Sequence, residues 1–430
     1  MKKIVGIIAA LALATAVFAD TPDVTPSVAS FDGSASIEYD IDLDNEAFGI
    51  KNLSTQEFKI QFVSAGDKAT EGDGLWGDLK IKISDAVTVT GAGEAFGVPA
   101  VTIDHAKIHF VEGDFYANMI ITCPGLAVGG GDIATATWSA KAFPKATVTL
   151  TDAAGFTLNF GLDGLVDFNL QFADNGVKKS DAKKFAFVFD VTLKAVENLT
   201  FNAGVGYGTE KEKLVAAVKV DYKLGLTDTL YLKPAVGFAL DEAEAKTLNA
   251  GLLLGWGTEG QEPGFAAFNG TKVADSTAAT WDNVPNKCAD GVSVYAGVPL
   301  ADNAAIEFLV SAYDSTLVSG LKIGAELYSL NLTKFADTFW AADFAAKYGT
   351  TVAEDWKISA NFGFEAENIA KEVKTGFLWG FGLENGAIID NTTLYLNYAG
   401  QIAKDLQKSD GTIKGIDQKG TIKIGAKIHF

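Results

Sequence analysis

The chain runs to 430 residues, 48% of them hydrophobic with a mean hydropathy of +0.16, yet it holds 54 acidic against 35 basic residues and a net charge of −19. Every basic residue is Lys; the lack of Arg removes the side chain best suited to bidentate phosphate and base recognition, and the acidic balance repels polyanions, so nucleic acid is not expected as a partner. A chain both this apolar and this charged has to disperse its apolar residues in alternation, as a β-barrel with one face on lipid demands; its 45 Gly and 29 Phe suit the crowded inner face and the aromatic outer face of such a wall.

Two lysines, an apolar run from Ile4 to about Ala16 and the small-residue site Val17-Phe18-Ala19 before Asp20 read as a secretory signal peptide over residues 1–19, cleaved between Ala19 and Asp20. Its loss would take Lys2 and Lys3 away and leave a charge of about −21. No later segment offers about 18 consecutive apolar residues, so no further helix is expected to span a membrane. Residues 20–33 read as a flexible lead-in.

Residues 34–144 form an N-terminal β region, either part of a barrel or a separate periplasmic domain, with strands less regular than those that follow. Ile37, Tyr39 and Ile41 alternate with Glu38, Asp40 and Asp42; Asp40, Asp42 and Asp44 lack the Gly and Glu offsets of a calcium loop and read as a solvated strand face. Phe58, Ile60 and Phe62 oppose Lys59 and Gln61, and Leu79, Ile81 and Ile83 alternate with Lys80 and Lys82. A hairpin is expected around Glu112-Gly113. The block EGDGLW with its Lys-and-aliphatic strand (residues 71–85), and KIHFVEGDFYANMII (107–121), resemble the N-terminal region of the treponemal major outer sheath protein family, the Msp/Tpr-type surface proteins. That resemblance implies an outer-membrane porin and adhesin of a spirochaete, and allows the N-terminal third to be a periplasmic domain.

From Lys145 to Phe430 the period of two is regular, the expected barrel region. Phe185, Phe187, Phe189, Val191 and Leu193 oppose Lys184, Asp190, Thr192 and Lys194; Val218, Val220, Tyr222 and Leu224 oppose Lys219, Asp221, Lys223 and Gly225. Trp356, Ile358, Ala360, Phe362 and Phe364 oppose Lys357, Ser359, Asn361 and Glu365. Turn signals fall at, among others, Glu365 to Lys374 and Glu384 to Asn391, and Pro234 implies a bulge or a sheet edge. The expected fold is all-β, an antiparallel transmembrane β-barrel of roughly 18–22 strands behind a cleaved signal peptide. The longest non-strand stretch, Thr258 to Ala289, is of a length that is usually functional or disordered. Long loops of such barrels normally face outside, yet counting strands back from Phe430, with the last ending in the periplasm, puts it on the other side: either a strand is missed or it folds inward as a constriction.

The last strand places Ile422, Ile424, Ala426, Ile428 and Phe430 on one face and Lys423, Gly425, Lys427 and His429 on the other. A Lys facing lipid near mid-bilayer costs about 2–4 kcal/mol, so the Lys face must look into a lumen. The closing pattern resembles the assembly signal of outer-membrane barrels, with Ile422, Ile424, Ile428 and Phe430 as its residues and the barrel-assembly machinery as its reader. The candidate lumen-facing set is Lys219, Asp221, Lys223, Lys357, Glu365, Lys423 and Lys427.

Little else carries chemistry. Cys123 and Cys288 have no metal spacing, and a disulfide and two free thiols both stay open. His105 and His109 share a strand face about 13 Å apart, too far to share a metal. Gly204-Val205-Gly206-Tyr207-Gly208 lacks the remainder of a nucleotide loop and reads as small residues packing in a wall. No Gly-x-Ser-x-Gly elbow occurs, and neither an enzyme nor a cofactor is expected. The expectation is passive diffusion of small polar solutes through a mixed-sign lumen with an acidic excess, favouring cations, in a major surface protein. The rivals are an adhesin or variable surface antigen holding host or neighbouring-cell molecules through Thr258 to Ala289, and a soluble or surface-layer β protein. Membrane lipid is an expected partner, and a homo-oligomer is compatible with the sequence.

Overall fold

The computed structural model describes residues 28–32, 34–51, 54–63, 74–90, 93–96, 100–121, 126–129, 145–151, 154–175, 184–256, 290–301, 304–335, 339–353, 355–369, 372–407 and 413–429. The expected signal peptide with its cleavage site at Ala19 and Asp20, both cysteines, the stretch 257–289 and Phe430 lie outside the described residues.

Each long strand pairs antiparallel with two neighbours, and the pairings return to their start. Ile413–His429 pairs with Ser34–Asp42, joining Ser34 to His429 and Asp42 to Thr421, while the other edge of Ser34–Asp42 pairs with Ala47–Lys51. Val28–Asp32 continues the first of these strands and pairs with Ser54–Val63, which continues the second. With such broken strands taken once, the ring holds about 20. Closure leaves no edge to bare its amides to lipid, which is the condition for spanning a bilayer with strands.

Strands Gly74–Thr90, Ala100–Glu112 and Phe115–Ile120 follow in the same sheet and hand over to Ala154–Leu162, so the N-terminal strands are part of the ring. The expected hairpin turns at Gly113-Asp114, where Gly113 has φ +56°. From Ala154–Leu162 to Leu321–Ser329 the strands are 8 to 11 residues long, apart from the short continuation Leu224–Gly225. Such lengths suit a tilted crossing of the hydrocarbon layer. The last five, Trp340–Ala353 to Ile413–His429, are 14 to 18 residues.

Two of the expected turns hold the hairpin reversals, within narrower bounds: Trp356–Ile369 ends and Glu372–Ile389 begins inside Glu365 to Lys374, and Glu372–Ile389 gives way at Asp390-Asn391 to Thr392–Gln407 inside Glu384 to Asn391. In the second the register shifts after Asn385, whose Oδ1 accepts from the Ala387 and Ile388 amides. Pro234 is corrected, being neither a bulge nor an edge. It sits inside Leu230–Leu240, opposite Leu252, and the register with Lys213–Tyr222 is the same on both sides of it (Asp221 to Ala235, Leu224 to Leu232). The missing N–H interrupts the ladder without shifting it.

The two faces of the ring differ in kind. Outside, Val205, Leu214, Val218, Val236, Leu252 and Phe381 stand exposed. Rings from adjoining strands stack there, Phe160 on Phe168 with centroids 5.0 Å apart and Phe364 against Phe377 at 5.1 Å. The opposite face carries Asn202, Ser293, Ser311, Glu326, Asn361 and Gln401, all buried among their neighbours. Apolar side chains that are bare outside and polar ones gathered inside invert the arrangement of a water-soluble fold.

Candidate functional site: the inner wall

The inner wall is built by parity. A residue's place on a strand decides its face, and the register carries that face from strand to strand. At the seam that closes the ring, the Glu38 carboxylate accepts a hydrogen bond from Lys423 Nζ at 2.8 Å and another from the Tyr395 hydroxyl at 2.9 Å, tying three adjoining strands together. Gly425 makes the arrangement possible: a Cβ there would stand 2.3 Å from the Tyr395 hydroxyl oxygen and 2.7 Å from the Ile37 carbonyl. Farther round, the Asp167 carboxylate accepts from the Tyr116 hydroxyl and pairs with Lys194, both at 2.5 Å. His109 Nδ1 lies 2.8 Å from Asn118 Oδ1.

Each residue singled out from the sequence has a place in this geometry. Lys219 stands opposite Asn202 and Gly237. Asp221 pairs with Lys233 at 3.4 Å, and the Lys223 ammonium lies 4.7 Å above the Tyr231 ring. Lys357 is exposed, opposite Glu384, whereas Glu365 is fully buried between Asp343 and Gly376. Lys427 is exposed, opposite Ser36 and Thr393. All seven candidates share strand parity with one another and oppose the exposed apolar set. Ile424 and Ile428 stand exposed on the outer face, and Ile422 has the same parity.

One part of the wall was not anticipated. On the strands Phe185–Leu193, Leu199–Gly208, Lys213–Tyr222 and Leu230–Leu240, the inner face near one rim is apolar: Ala186, Val188, Val215, Ala217 and Ala239 are buried there, and Gly206 and Gly208 lie between them. What covers this patch is the chain itself. Ala127–Gly129 and Lys145–Thr147, both from the connection between Phe115–Ile120 and Ala154–Leu162, pair with each other and lie across these four strands. Leu126, Ala146 and Val148 complete the cluster. Val148 seats over the glycines, where a Cβ would meet its methyls at 2.8 Å from Gly206 and 2.6 Å from Gly208.

Two rim turns hold the segment. The Glu242 carboxylate accepts from the Thr149 amide at 2.7 Å and the Thr149 hydroxyl at 2.6 Å. Glu210 accepts from the Thr151 amide at 2.8 Å and the Thr151 hydroxyl at 2.9 Å. These Thr151 bonds, the backbone one first, hold the Glu210 carboxyl below its ordinary range, helped by Lys184 at 3.8 Å and by Lys211. Both turns lie at the end of the ring opposite Ser34 and His429. The connection 257–290 joins its strands at the end that Ser34 and His429 share, since Lys246–Trp256 finishes there and Gly291–Pro299 starts there. Its parity agrees with the count made from Phe430. The clue that could have found the docked segment is the inner parity of Val188, Val215, Ala217 and Ala239: a wall against water has no use for four apolar side chains in one patch.

No protein-family model matches the chain. It is 38% identical over 117 residues to the major surface protein MspTL of Treponema lecithinolyticum, covering 25% of this chain and 20% of that protein. To the major outer membrane protein MspA of Treponema maltophilum it is 33% identical over 145 residues, covering 30% of this chain and 24% of that one. The chain thus covers only a fifth to a quarter of the length of these relatives. Among solved structures, Pseudomonas aeruginosa OpdQ aligns with TM-score 0.41 at 10% identity, covering 95% of this chain and 99% of that one. Pseudomonas aeruginosa OprD aligns with TM-score 0.39 at 9% identity, covering 95% and 97%. The resemblance to the treponemal surface proteins therefore holds over a stretch of sequence, and the chain is an outer-membrane β-barrel homologous over about a quarter of its length to the treponemal major surface proteins.

Proposed function

We propose that the barrel is a passive pore for small polar solutes and a major protein of the cell surface. The observation that carries this reading is the division of faces around a closed ring: an exposed apolar exterior, and an interior of Lys, Asp and Glu among Asn, Ser and Gly. The mechanism asks for no moving chemistry. Backbone pairing forms the wall, the aliphatic and aromatic belt holds it in lipid, and the charged interior keeps water within it. Carboxylates such as Glu38, Asp167, Asp221, Glu326 and Glu365 give the interior an acidic cast, which favours cations over anions of equal size.

With the termini end in the periplasm, the docked segment and its two glutamates sit at the outer mouth. Detergent-purified protein in a planar bilayer is expected to show discrete conductance steps, with a reversal potential on the cation side in a salt gradient. Absence of steps would overturn the pore, and an anion-side potential would overturn the selectivity. The relatives' names, major surface protein and major outer membrane protein, favour a second reading as an adhesin acting through its connections. The connection 257–290 opens at the end shared by Ser34 and His429, so an adhesin acting through it requires that end to face outward; in that orientation deleting residues 258–289 should abolish binding to host molecules and leave conductance unchanged.

A further inference from the structure

We propose that the segment carrying Leu126 to Gly129 and Lys145 to Thr151 is a releasable constriction of the lumen, held against the inner wall by Glu210 and Glu242 acting as paired latches. The inference rests on the pore reading for its consequence, but its geometry stands apart from conduction.

The attachment has two parts of different strength and place. The seat is apolar and small: Val148 lies over Gly206 and Gly208 with Val188 and Val215 on either side, and Leu126 and Ala146 are buried in the same cluster. The latches are polar and lie at the rim. Each glutamate takes both the amide and the hydroxyl of one threonine, so both carboxylate oxygens are used, and the pair fixes Thr149 and Thr151 of one extended stretch to two different turns. Thr149 and Thr151 are exposed, so water competes for all four bonds. By contrast the wall beneath is closed by continuous ladders of up to ten paired residues, as between Leu199–Gly208 and Lys213–Tyr222. Among the described residues the segment is held by wet hydrogen bonds at the rim and by the small apolar cluster of Leu126, Ala146 and Val148, and an element so held opens more readily than the ladder it rests on.

The layout also says what opening would do. The segment crosses four adjoining strands at the end of the ring away from the termini, so in place it occupies part of the cross-section near that mouth. Released, it uncovers an apolar patch that water wets poorly, which draws it back and makes the docked state the resting one. The glutamates supply the specificity, since an ionised carboxylate binds an amide and a hydroxyl together more strongly than a neutral carboxamide does.

The test uses the full chain in lipid vesicles, with Cys123→Ser and Cys288→Ser as background and Val148→Cys as reporter. The probe is a small, charged, membrane-impermeant thiosulfonate reagent. In the reporter background, Glu210→Gln with Glu242→Gln is expected to speed labelling of position 148 by about tenfold or more, the scale of losing charge-assisted bonds, and to raise the single-channel conductance. Thr149→Val with Thr151→Val, which removes the hydroxyls alone, should act in the same direction with a smaller effect, and serves if the glutamine pair does not assemble. A disulfide between Val148→Cys and Gly206→Cys should return conductance to its resting value in the Gln background and release it on reduction. Labelling that is equally fast with and without the latches would overturn the proposal. Faster labelling without conductance in any variant would support the latch and overturn the pore reading instead.

Discussion

Two stretches of the inner wall, the seam where Ser34–Asp42 meets Ile413–His429 and the patch formed by Phe185–Leu193, Leu199–Gly208 and Lys213–Tyr222, are built from strands with the same outward pattern. Their interiors differ in chemistry. At the seam charged residues point inward, and Glu38, Lys423 and Tyr395 satisfy one another across three strands. At the patch the inward residues are Ala, Val and Gly, satisfied by Val148 and Leu126 of the docked segment. Outward residues all meet the same solvent, so they converge. Inward residues meet either water or protein, and their chemistry records which.

Exchanging the two chemistries is the most direct way to break the contrast. Val188→Lys sets an ammonium against Val148, a buried charge without a partner, at a cost of several kcal/mol. The expected relief is expulsion of the segment, read as rapid proteolytic cleavage between residues 121 and 153 while the barrel keeps its heat-modifiable gel mobility. Cleavage no faster than in the parent protein would show that the patch tolerates charge.

The reverse exchange at the seam, Glu38→Val, leaves the Lys423 ammonium, only 14% exposed, without its carboxylate. Loss of these charge-assisted bonds is expected to destabilise the barrel by about 1.5–3 kcal/mol, with the docked segment still protected from protease. Combining it with Lys423→Met should restore part of that loss, and simple additivity in a double-mutant cycle would deny that the two groups are coupled.

Gly425→Ala sharpens the comparison at smaller scale. Its Cβ meets a backbone carbonyl at 2.7 Å that cannot move, whereas Gly206→Ala meets valine methyls at 2.8 and 3.0 Å that can. The first should cost about 1–3 kcal/mol and the second less, in urea unfolding of the refolded protein. Equal costs would mean that the seam yields as easily as the seat.

The smallest expected effect is that of pH on the latch. Docking holds the Glu210 carboxyl below its ordinary value, through Thr151 first and Lys184 and Lys211 after it, so its contribution is complete above the ordinary glutamate pKa. It is lost as pH falls through the lower, docked value, which puts the window below about pH 4.3. The labelling rate at position 148 should therefore be flat through neutral pH and rise only in that acid range. In Glu210→Gln the rise should shrink.

Much of this architecture was legible along the chain. Val218 and Val220 against Lys219 and Asp221, or Phe377 and Phe381 against Gly376 and Gly380, report one apolar and one polar side, because lipid imposes the same demand on every strand it touches. The reading faltered where that demand ends. Glu372 to Lys374 look like a turn, yet they pair with Glu367 to Ile369, whereas past Asn385 the register shifts before the reversal at Asp390-Asn391. Pro234 looked like an interruption and proved to be a local gap in an unshifted ladder.

By itself the sequence determined the all-β class, the period of the strands and the face of most side chains within them, since all of these follow from parity within a strand. Only the tertiary structure decided that Ser34 meets His429 to close the ring, that the N-terminal strands belong to it, and that Thr149 and Thr151 reach Glu242 and Glu210. Those contacts join residues tens to hundreds of positions apart, and no local periodicity encodes a partner that the chain must travel so far to meet.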